Sequence, residues 1–248
     1  MFIDTHCHLS IEDYDDIDKV VKEDIEAGVK KLIVSACTKN TFEEALALAK
    51  KYDSIYVTLG FHPSEVDTTD ADLELLKELL KTDKVVGVGE IGLDYHYGKD
   101  DIDMQKELFE KQLVIAEKLN LPVVIHSRDA VNDTIETLKK HNVKGVIHCF
   151  SGSVETADIY IRLGYKLGIG GVVTFKNSNL YKVVEHVGLD NIVLETDSPY
   201  LAPEPFRGKQ NSSKYIPVIA TKIADILNVS LSEVEDKTTM TASNLFDL

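Results

Sequence analysis

The chain has 248 residues, a length that suits one large α/β domain such as a barrel. A net charge of −15 argues against a broad basic surface for nucleic acid, although a bound metal would control the field in its own site. The N-terminus lacks the basic and apolar regions of a signal peptide, and no apolar run reaches the roughly 20 residues of a membrane span. With three cysteines and no C-x-x-C pair, the sequence predicts a cytoplasmic protein without membrane contact.

Apolar runs rich in valine and isoleucine alternate with amphipathic stretches along the chain. We predict strands over 2–7, 31–36, 55–60, 85–91, 122–126, 144–148, 165–170 and 191–195. We predict helices over 15–27, 40–51, 70–81, 103–119, 129–140, 153–163, 178–187, 213–227 and 231–246. Strands that are apolar on both faces are typical of parallel sheets covered by helices. The alternation predicts a (β/α)8 TIM barrel as a single domain over 1–248, with a doubly wound open sheet as the alternative.

Side chains that bind metals stand at the ends of five predicted strands. They are His6 and His8 on the first strand, followed by Glu90, His126, His148 and Asp197. In a TIM barrel the carboxyl ends of all strands meet at one face, where catalysis takes place. Any one of these residues alone is more often an ordinary polar strand end. Six together predict a shared centre for divalent metal ions.

The donor types also indicate how two metals would be shared. A carboxylate offers two oxygens and a neutral imidazole only one lone pair, so Glu90 suits a bridging position. We assign one metal to His6, His8 and Asp197, the second to His126 and His148, and both to Glu90. Two ions such as Zn, Mg or Mn, about 3.5–4 Å apart, activate water and stabilise in-line displacement at phosphorus. Glu90 and Asp197 are therefore the predicted catalytic residues, with Asp197 also orienting the water or accepting its proton.

Other residues near the strand ends have two interpretations each. His62 contacts either the substrate or only its own turn, and Arg128 pairs either with a phosphate or with a helix carboxylate. Glycines in 168–171 either admit the substrate or give packing space. The G-x-G-x-x-G match at 87–92 lies inside a predicted strand, which does not fit a dinucleotide site.

Strand alternation gives expectations for three residues beside the predicted ligands. Asp4 shares the side of His6, where it is either structural or a support for the ligands. Cys7 and Cys149 point away from the centre and are expected to be inert.

Several motifs occur in one order along nearly the whole chain. They occupy 4–8, 60–63, 87–94, 126–128, 148–152 and 195–201, and the last continues through 202–209. Together they resemble the TatD-type metal-dependent deoxyribonucleases. The resemblance implies a TIM barrel of the amidohydrolase type, a divalent-metal centre with the same six ligands, and hydrolysis of DNA phosphodiester bonds. It also implies substrate contacts by His62, Arg207 and Lys209.

We therefore expect a deoxyribonuclease, specifically an exonuclease on DNA ends or single strands, without an obligate protein partner. The alternative is a metal-dependent amide or ester hydrolase, such as an amidohydrolase, a lactonase or an aminoacyl-tRNA deacylase, because the same metals polarise a carbonyl. Many such barrels carry a carbamylated lysine where the fourth strand here ends in Glu90, and Lys84 stands at the opposite end. A third possibility is an inactive barrel that binds nucleic acid or a protein.

Overall fold

The computed structural model describes residues 1–98 and 100–248, and within them eight parallel strands form one sheet in chain order. The strands are β1 Phe2–Cys7, β2 Val29–Ala36, β3 Ile55–Leu59, β4 Val85–Asp94, β5 Val123–Arg128, β6 Gly145–Ile147, β7 Tyr165–Ile169 and β8 Ile192–Leu194. The segment after β8 closes the sheet onto β1, because the backbone N–H of Asp197 donates to the His6 carbonyl at 3.0 Å and that of His8 to the Ser198 carbonyl at 2.7 Å. This order confirms the predicted TIM barrel.

Nine α-helices surround the barrel in the described part of the chain. They are α1 Ile17–Glu26, α2 Lys39–Lys51, α3 Asp70–Leu79, α4 Ile102–Leu119, α5 Val131–Leu138, α6 Val154–Arg162, α7 Leu180–Val187, α8 Ile216–Leu227 and α9 Leu231–Phe246. Side chains of Asp16, Thr69, Ser153 and Ser230 accept backbone N–H groups of the first turns of α1, α3, α6 and α9, which fixes where these helices begin. None of the helices described is long and apolar enough to cross a bilayer.

The predicted elements all occur, and the largest differences lie at the strands that carry the site. β4 and β5 run further than predicted, and their pairing continues through Gly92 with His126 to Asp94 with Arg128. β6 and β8 are shorter than predicted. Short 3-10 segments at Gly171–Thr174, Leu189–Asn191 and Ser213–Tyr215 were not predicted, because such turns carry no hydrophobic period.

Buried apolar side chains form a large cluster between strands and helices and a small one inside the barrel. The inner cluster consists of Ile3, Ile33, Val124, Val146, Val193, Ala242 and Phe246. Val124 and Val146 stand two residues before His126 and His148, so they point to the same side of the sheet one layer deeper. Ala242 and Phe246 come from α9, which therefore closes the barrel end opposite the predicted centre.

Alternation along β1 is broken, so the side predicted for Asp4 is wrong, whereas the structural one of its two interpretations fits. The pairing of β1 with β2 is irregular between Asp4 and Cys7, as at a β-bulge. Ile3 joins the inner cluster, whereas the Asp4 carboxylate accepts hydrogen bonds from the backbone and hydroxyl of Thr196. Asp4 thus lies outside the barrel interior and braces the segment after β8. Cys7 packs in the outer cluster, as expected.

Candidate metal centre

The structure brings the six predicted ligands together at the carboxyl-terminal face of the barrel. Five of them border a cleft of about 1060 Å³, and these are His8, Glu90, His126, His148 and Asp197. His6 lies deeper and is fully buried. They come from β1, β4, β5 and the segments after β6 and β8, whose carboxyl-terminal ends meet because the barrel is closed. Their role as metal ligands remains a prediction.

The two oxygens of Glu90 face two different pairs of histidines. Oε2 lies 3.5 Å from His6 Nε2 and 3.9 Å from His8 Nε2. Oε1 lies 2.6 Å from His126 Nδ1 and 2.8 Å from His148 Nε2. Gly92 allows this approach of β4 to β5, because any side chain there would overlap with the His126 carbonyl. The arrangement fits a carboxylate that bridges two ions.

Asp197 completes the first group. Its Oδ1 lies 3.6 Å from His6 Nε2 and 3.5 Å from His8 Nε2. The residue has a φ of 54°, a left-handed conformation that aspartate tolerates better than most residues. This turn directs the carboxylate back over β1.

An unpaired buried nitrogen tests whether this donor set suits a metal. Within residues 1–98 and 100–248, His6 Nε2 has no hydrogen-bond partner although it is buried, which is costly unless another group satisfies it. Its distances of 3.5 Å to Glu90 Oε2 and 3.6 Å to Asp197 Oδ1 exceed a normal hydrogen bond. They suit two ligands on one tetrahedral ion, which stand about 3.4 Å apart when each bond is about 2.1 Å. The residues present therefore fit a divalent metal.

The second nitrogens of His6 and His8 are held by one residue of β2. His6 Nδ1 lies 3.0 Å from the hydroxyl of Ser35, which also contacts the Thr58 hydroxyl at 2.8 Å. His8 Nδ1 lies 3.1 Å from the Ser35 carbonyl, to which it donates. With Nδ1 engaged in this way, both histidines present Nε2 to Glu90 and Asp197.

A carboxylate holds His126 by a hydrogen bond, and a second carboxylate lies beside His148 without one. His126 Nε2 lies 3.1 Å from Asp94 Oδ2, and His148 Nδ1 lies 3.8 Å from Glu195 Oε1. A carboxylate behind a histidine orients the ring and raises its basicity as a ligand. Both imidazoles thus present the remaining nitrogen to Glu90.

Glu195 is enclosed between β7 and the segment after β6. The Cys149 backbone N–H donates to Oε1, and burial raises the pKa of Glu195 to about 8. A side chain at Gly168 would overlap with Oε2, so the glycine supplies packing space, one of its two predicted interpretations. The carboxylate therefore has one position, beside His148.

Charges within the centre oppose the effect of burial. Burial disfavours the ionised form of Glu90, but the charge of His148 and the hydrogen bonds from the histidines hold the pKa of Glu90 well below its usual range. Burial likewise disfavours protonated His148, yet Glu90 raises the pKa of His148 to about 9. The metal-free centre thus pairs an ionised Glu90 with a protonated His148, and a metal held by His148 would displace that proton.

His62 lies in the cleft beside His126, with 4.7 Å between the ring centres. The Ser64 backbone N–H donates to His62 Nδ1 at 3.1 Å. Burial lowers the pKa of His62 to about 4, so the ring is neutral near pH 7 and carries its proton on Nε2. This nitrogen is an available hydrogen-bond donor in the cleft.

The three predicted basic contacts lie at different depths. Arg128 borders the cleft, and its guanidinium lies 5.3 Å from the centre of the Tyr97 ring. This contact differs from the alternative interpretation, a salt bridge to a helix carboxylate. Arg207 lies 3.8 Å over the Phe175 ring and lines a second cleft of about 640 Å³, which meets the first at Ser151. Lys209 is exposed beside Phe206 and lines neither of these clefts.

Comparisons with known proteins identify the family of the chain. The model of the family described as TatD related DNase matches residues 3–247. The chain belongs to this family. It is similar to the uncharacterized metal-dependent hydrolase YabD of Bacillus subtilis, at 40% identity over 99% of each chain.

Two Escherichia coli proteins extend the comparison. The uncharacterized metal-dependent hydrolase YcfH is 35% identical over 99% of this chain and 96% of its own. The crystal structure of YjjV, a TatD homologue, superimposes with a TM-score of 0.92 at 33% identity, covering 100% of this chain and 98% of the other. YjjV and this chain thus share the whole barrel.

Sequence analysis did not identify several residues that contact the centre. Ser35, Asp94 and Glu195 hold the histidines, and Cys37 Sγ lies 3.6 Å from Glu90 Oε2. Burial raises the pKa of Cys37, so it remains a thiol. Asp94 and Glu195 stand inside motifs that carry ligands, which was the available signal. Ser35 and Cys37 had none.

Cys149 was expected to point away from the centre, but it borders the cleft. Its φ of 47° is left-handed, so the chain turns directly after β6 and the strand alternation ends there. Burial raises the pKa of its thiol well above the usual range, which agrees with an inert cysteine.

Proposed function

We propose that the protein is a divalent-metal-dependent deoxyribonuclease that hydrolyses DNA phosphodiester bonds at the centre around Glu90. The coarser assignment, a metal-dependent hydrolase, follows from family membership and from the names of its relatives. One observation carries the mechanism: the two oxygens of Glu90 face two separate pairs of histidines.

The proposed cofactors are two divalent ions. His6, His8 and Asp197 would hold one, His126 and His148 the other, and Glu90 both. The clusters His6–His8–Glu90 and Glu90–His126–His148 support this division, while a further cluster groups His148 with His6 and Asp197. When bound, such ions polarise a phosphoryl oxygen and lower the pKa of water. The mixture of nitrogen and carboxylate donors suits Zn, Mn or Mg.

The side chains around these ligands have distinct proposed roles. Asp197 accepts the proton of the attacking water, because its carboxylate borders the open side of the cleft. His62 donates from Nε2 to a phosphate oxygen, since it is neutral and its Nδ1 is occupied. Arg128 pairs with a phosphate oxygen at the rim. Arg207 and Lys209 contact the DNA further along, Arg207 from the second cleft.

The depth of the centre supports action on DNA ends or single strands. Glu90 and His148 are only 4% and 7% exposed, so a phosphodiester must enter the cleft to reach them. A free end or an unpaired strand can bend into such a cleft more readily than a continuous duplex, which is stiff over this length. We therefore propose exonuclease activity.

Glu90→Gln tests the proposal directly. Wild-type protein stripped with EDTA should regain hydrolysis of a single-stranded oligonucleotide when Mg, Mn or Zn is added. Glu90→Gln should lose at least about a hundred-fold in rate, because an amide cannot bridge two cations. Glu185→Gln, on the exposed face of α7, is the matched control and should cleave like wild type. Cleavage that survives both EDTA and Glu90→Gln would refute the proposal.

The position of Lys84 argues against a metal centre bridged by a carbamylated lysine, as in many amidohydrolases. Its Nζ donates to the carbonyls of Ala49 and Tyr52, both at 2.9 Å, at the amino-terminal end of β4. The residue on β4 that reaches the metal face is Glu90. Turnover of carboxylic esters and lactones under the same metal conditions should therefore be far slower than turnover of DNA.

A further inference from the structure

We propose that Tyr97 and Tyr200 are stacking platforms for the two nucleobases that flank the scissile phosphodiester of single-stranded DNA. The inference rests on the proposed function, because it names the form of DNA that the same centre accepts. Nothing in the ligand geometry of Glu90 requires it.

The two tyrosines stand on opposite sides of the cleft mouth. Tyr97 follows β4 and Tyr200 follows β8, and strands four apart in a closed eight-stranded barrel face each other across its axis. Both residues border the cleft that contains Glu90 and Asp197. A chain that crosses the centre from one loop to the other would pass both rings.

Both rings are exposed to an unusual degree for side chains at a cleft. Tyr97 is 85% exposed and Tyr200 is 59% exposed. Aromatic rings gain most when a flat apolar surface covers them, and every nucleobase offers such a face. Two uncovered rings beside a deep hydrolytic centre therefore suit a ligand that carries planar groups on both sides of the reacting bond.

A contact with the Tyr97 ring and two bonds to the Tyr200 backbone position these residues before a ligand arrives. The Arg128 guanidinium lies 5.3 Å from the Tyr97 ring centre, and its Nη1 donates to the phenol oxygen at 3.4 Å. The Tyr200 backbone is fixed on both sides: its N–H donates to the Asp197 carbonyl at 2.9 Å, and its carbonyl accepts Asn211 Nδ2 at 2.6 Å. Platforms held in this way lose little conformational freedom on binding.

Charge gives the third reason for stacking. With a net charge of −15, the molecule as a whole repels DNA, so attraction between phosphates and a basic surface cannot supply most of the affinity. Stacking requires no opposite charge. It requires bases whose faces are accessible, which a single strand has and a continuous duplex, with its bases paired and stacked, does not.

Binding of a labelled single strand tests the proposal. The probe is a fluorescein-labelled, phosphorothioate-linked oligothymidylate, which resists cleavage, and its anisotropy is followed with the metal-loaded protein. Tyr97→Ala and Tyr200→Ala should each weaken binding roughly ten-fold. Tyr97→Phe and Tyr200→Phe keep the ring and should bind like wild type. Tyr181→Ala removes an exposed tyrosine of α7 outside the cleft and is the matched control.

An abasic strand of the same length separates stacking from backbone contacts. It should bind weakly, and the alanine variants should bind it no more weakly than wild type does. Alanine variants that hold oligothymidylate as tightly as wild type would overturn the proposal. Equal binding of the abasic strand by wild type would also overturn it. So would a loss of oligothymidylate binding in the phenylalanine variants.

Hydrolysis of a small phosphodiester distinguishes this inference from the proposed function. If wild type cleaves bis(p-nitrophenyl) phosphate with added metal while the alanine variants keep full affinity for the oligonucleotide, only the stacking platforms are refuted. If wild type cleaves no phosphodiester with any metal, the proposed function itself fails.

Discussion

Each histidine of the centre directs one ring nitrogen to Glu90 and rests the other against an oxygen of the protein. The oxygens belong to Ser35 for His6 and His8, to Asp94 for His126 and to Glu195 for His148. Such partners fix the ring orientation and the tautomer, and so determine how strongly the imidazole binds a metal. Their loss should change metal affinity before it changes the fold.

Glu195→Gln tests this role at one residue. The amide has the same size but cannot ionise, whereas Glu195 ionises above its pKa of about 8, so we expect metal affinity measured at pH 9 to fall roughly ten- to a hundred-fold. The measurement is competition for Zn or Mn against a coloured chelator. Glu185→Gln again serves as the control, and an unchanged affinity in Glu195→Gln would show that the carboxylate only fills space.

Residues of the centre were predictable to different extents for a physical reason. Glu90 and His126 could be identified because each ends an apolar run, which is a local pattern. Glu195 could not be assigned a role, since it follows β8 whereas His148 follows β6, two strands away in the sheet, and the contact is absent from the local sequence. Asp4 was placed wrongly because a β-bulge leaves no mark on hydrophobic alternation.

Among the elements, α9 has a specific structural task. Its last turn places Phe246 in the inner cluster at the barrel end opposite the centre, where the ring is buried. At this end of the barrel β4 carries Gly87, which has no side chain to fill the interior. A Cβ built at Gly87 would contact the Phe246 ring, so the ring occupies the space beside this glycine. α9 therefore stabilises the barrel at the end opposite the centre.

Phe246→Ala should lower the free energy of unfolding by about 3–5 kcal/mol, since it removes a buried aromatic ring and leaves a cavity. Urea unfolding followed by circular dichroism measures this change. Met240→Ala, on the exposed face of the same helix, should change stability by less than about 0.5 kcal/mol. Equal losses in both variants would contradict the proposed task of α9.

Helix α1 carries a buried carboxylate that should make stability depend on pH. Asp24 accepts from the Ser212 hydroxyl at 2.8 Å and the Lys214 backbone at 2.7 Å, and burial raises its pKa from 3.8 to about 6. A raised folded-state pKa means that the folded protein binds this proton more tightly than the unfolded chain. The contribution is complete below pH 3.8 and is lost as pH rises through about 6.

Asp24→Asn should remove this dependence. Relative to the variant, wild type should lose about 3 kcal/mol of stability as pH rises from 3.5 to 7, at about 1.4 kcal/mol for each pKa unit. Urea unfolding at several pH values, with EDTA present to exclude metal effects, gives the difference. Asp236→Asn, an exposed aspartate of α9, should follow wild type. Parallel curves for wild type and Asp24→Asn would refute the assignment.

Element types were largely predictable because hydrophobic period and length separate buried strands from amphipathic helices. The order of eight such pairs then predicted the barrel. The lengths of the strands at the site were harder to predict. β4 continues through Gly92 and Leu93 to Asp94, and β5 continues through the polar residue Ser127 to Arg128. Pairing with a neighbouring strand extends them, and that pairing is not visible in one segment.

At the scale of the whole molecule, closure of the barrel turns residues far apart in sequence into one centre. The backbone bonds that join the segment after β8 to β1 set Asp197 beside His6 and His8. The net charge of −15 then makes recognition local, since the surface as a whole does not attract DNA. The proposed function requires that this centre hold two ions.

The most direct measurement is a metal titration in which metal binding and DNA cleavage are both recorded against the equivalents of metal added. Metal-free protein receives Mn or Zn in fractions of an equivalent, and each sample is assayed for bound metal and for shortening of end-labelled single-stranded DNA. The account predicts two bound equivalents in wild type and cleavage that rises with the second, whereas Glu90→Ala binds fewer and leaves the DNA intact. Two equivalents bound to wild type with every strand intact would contradict it.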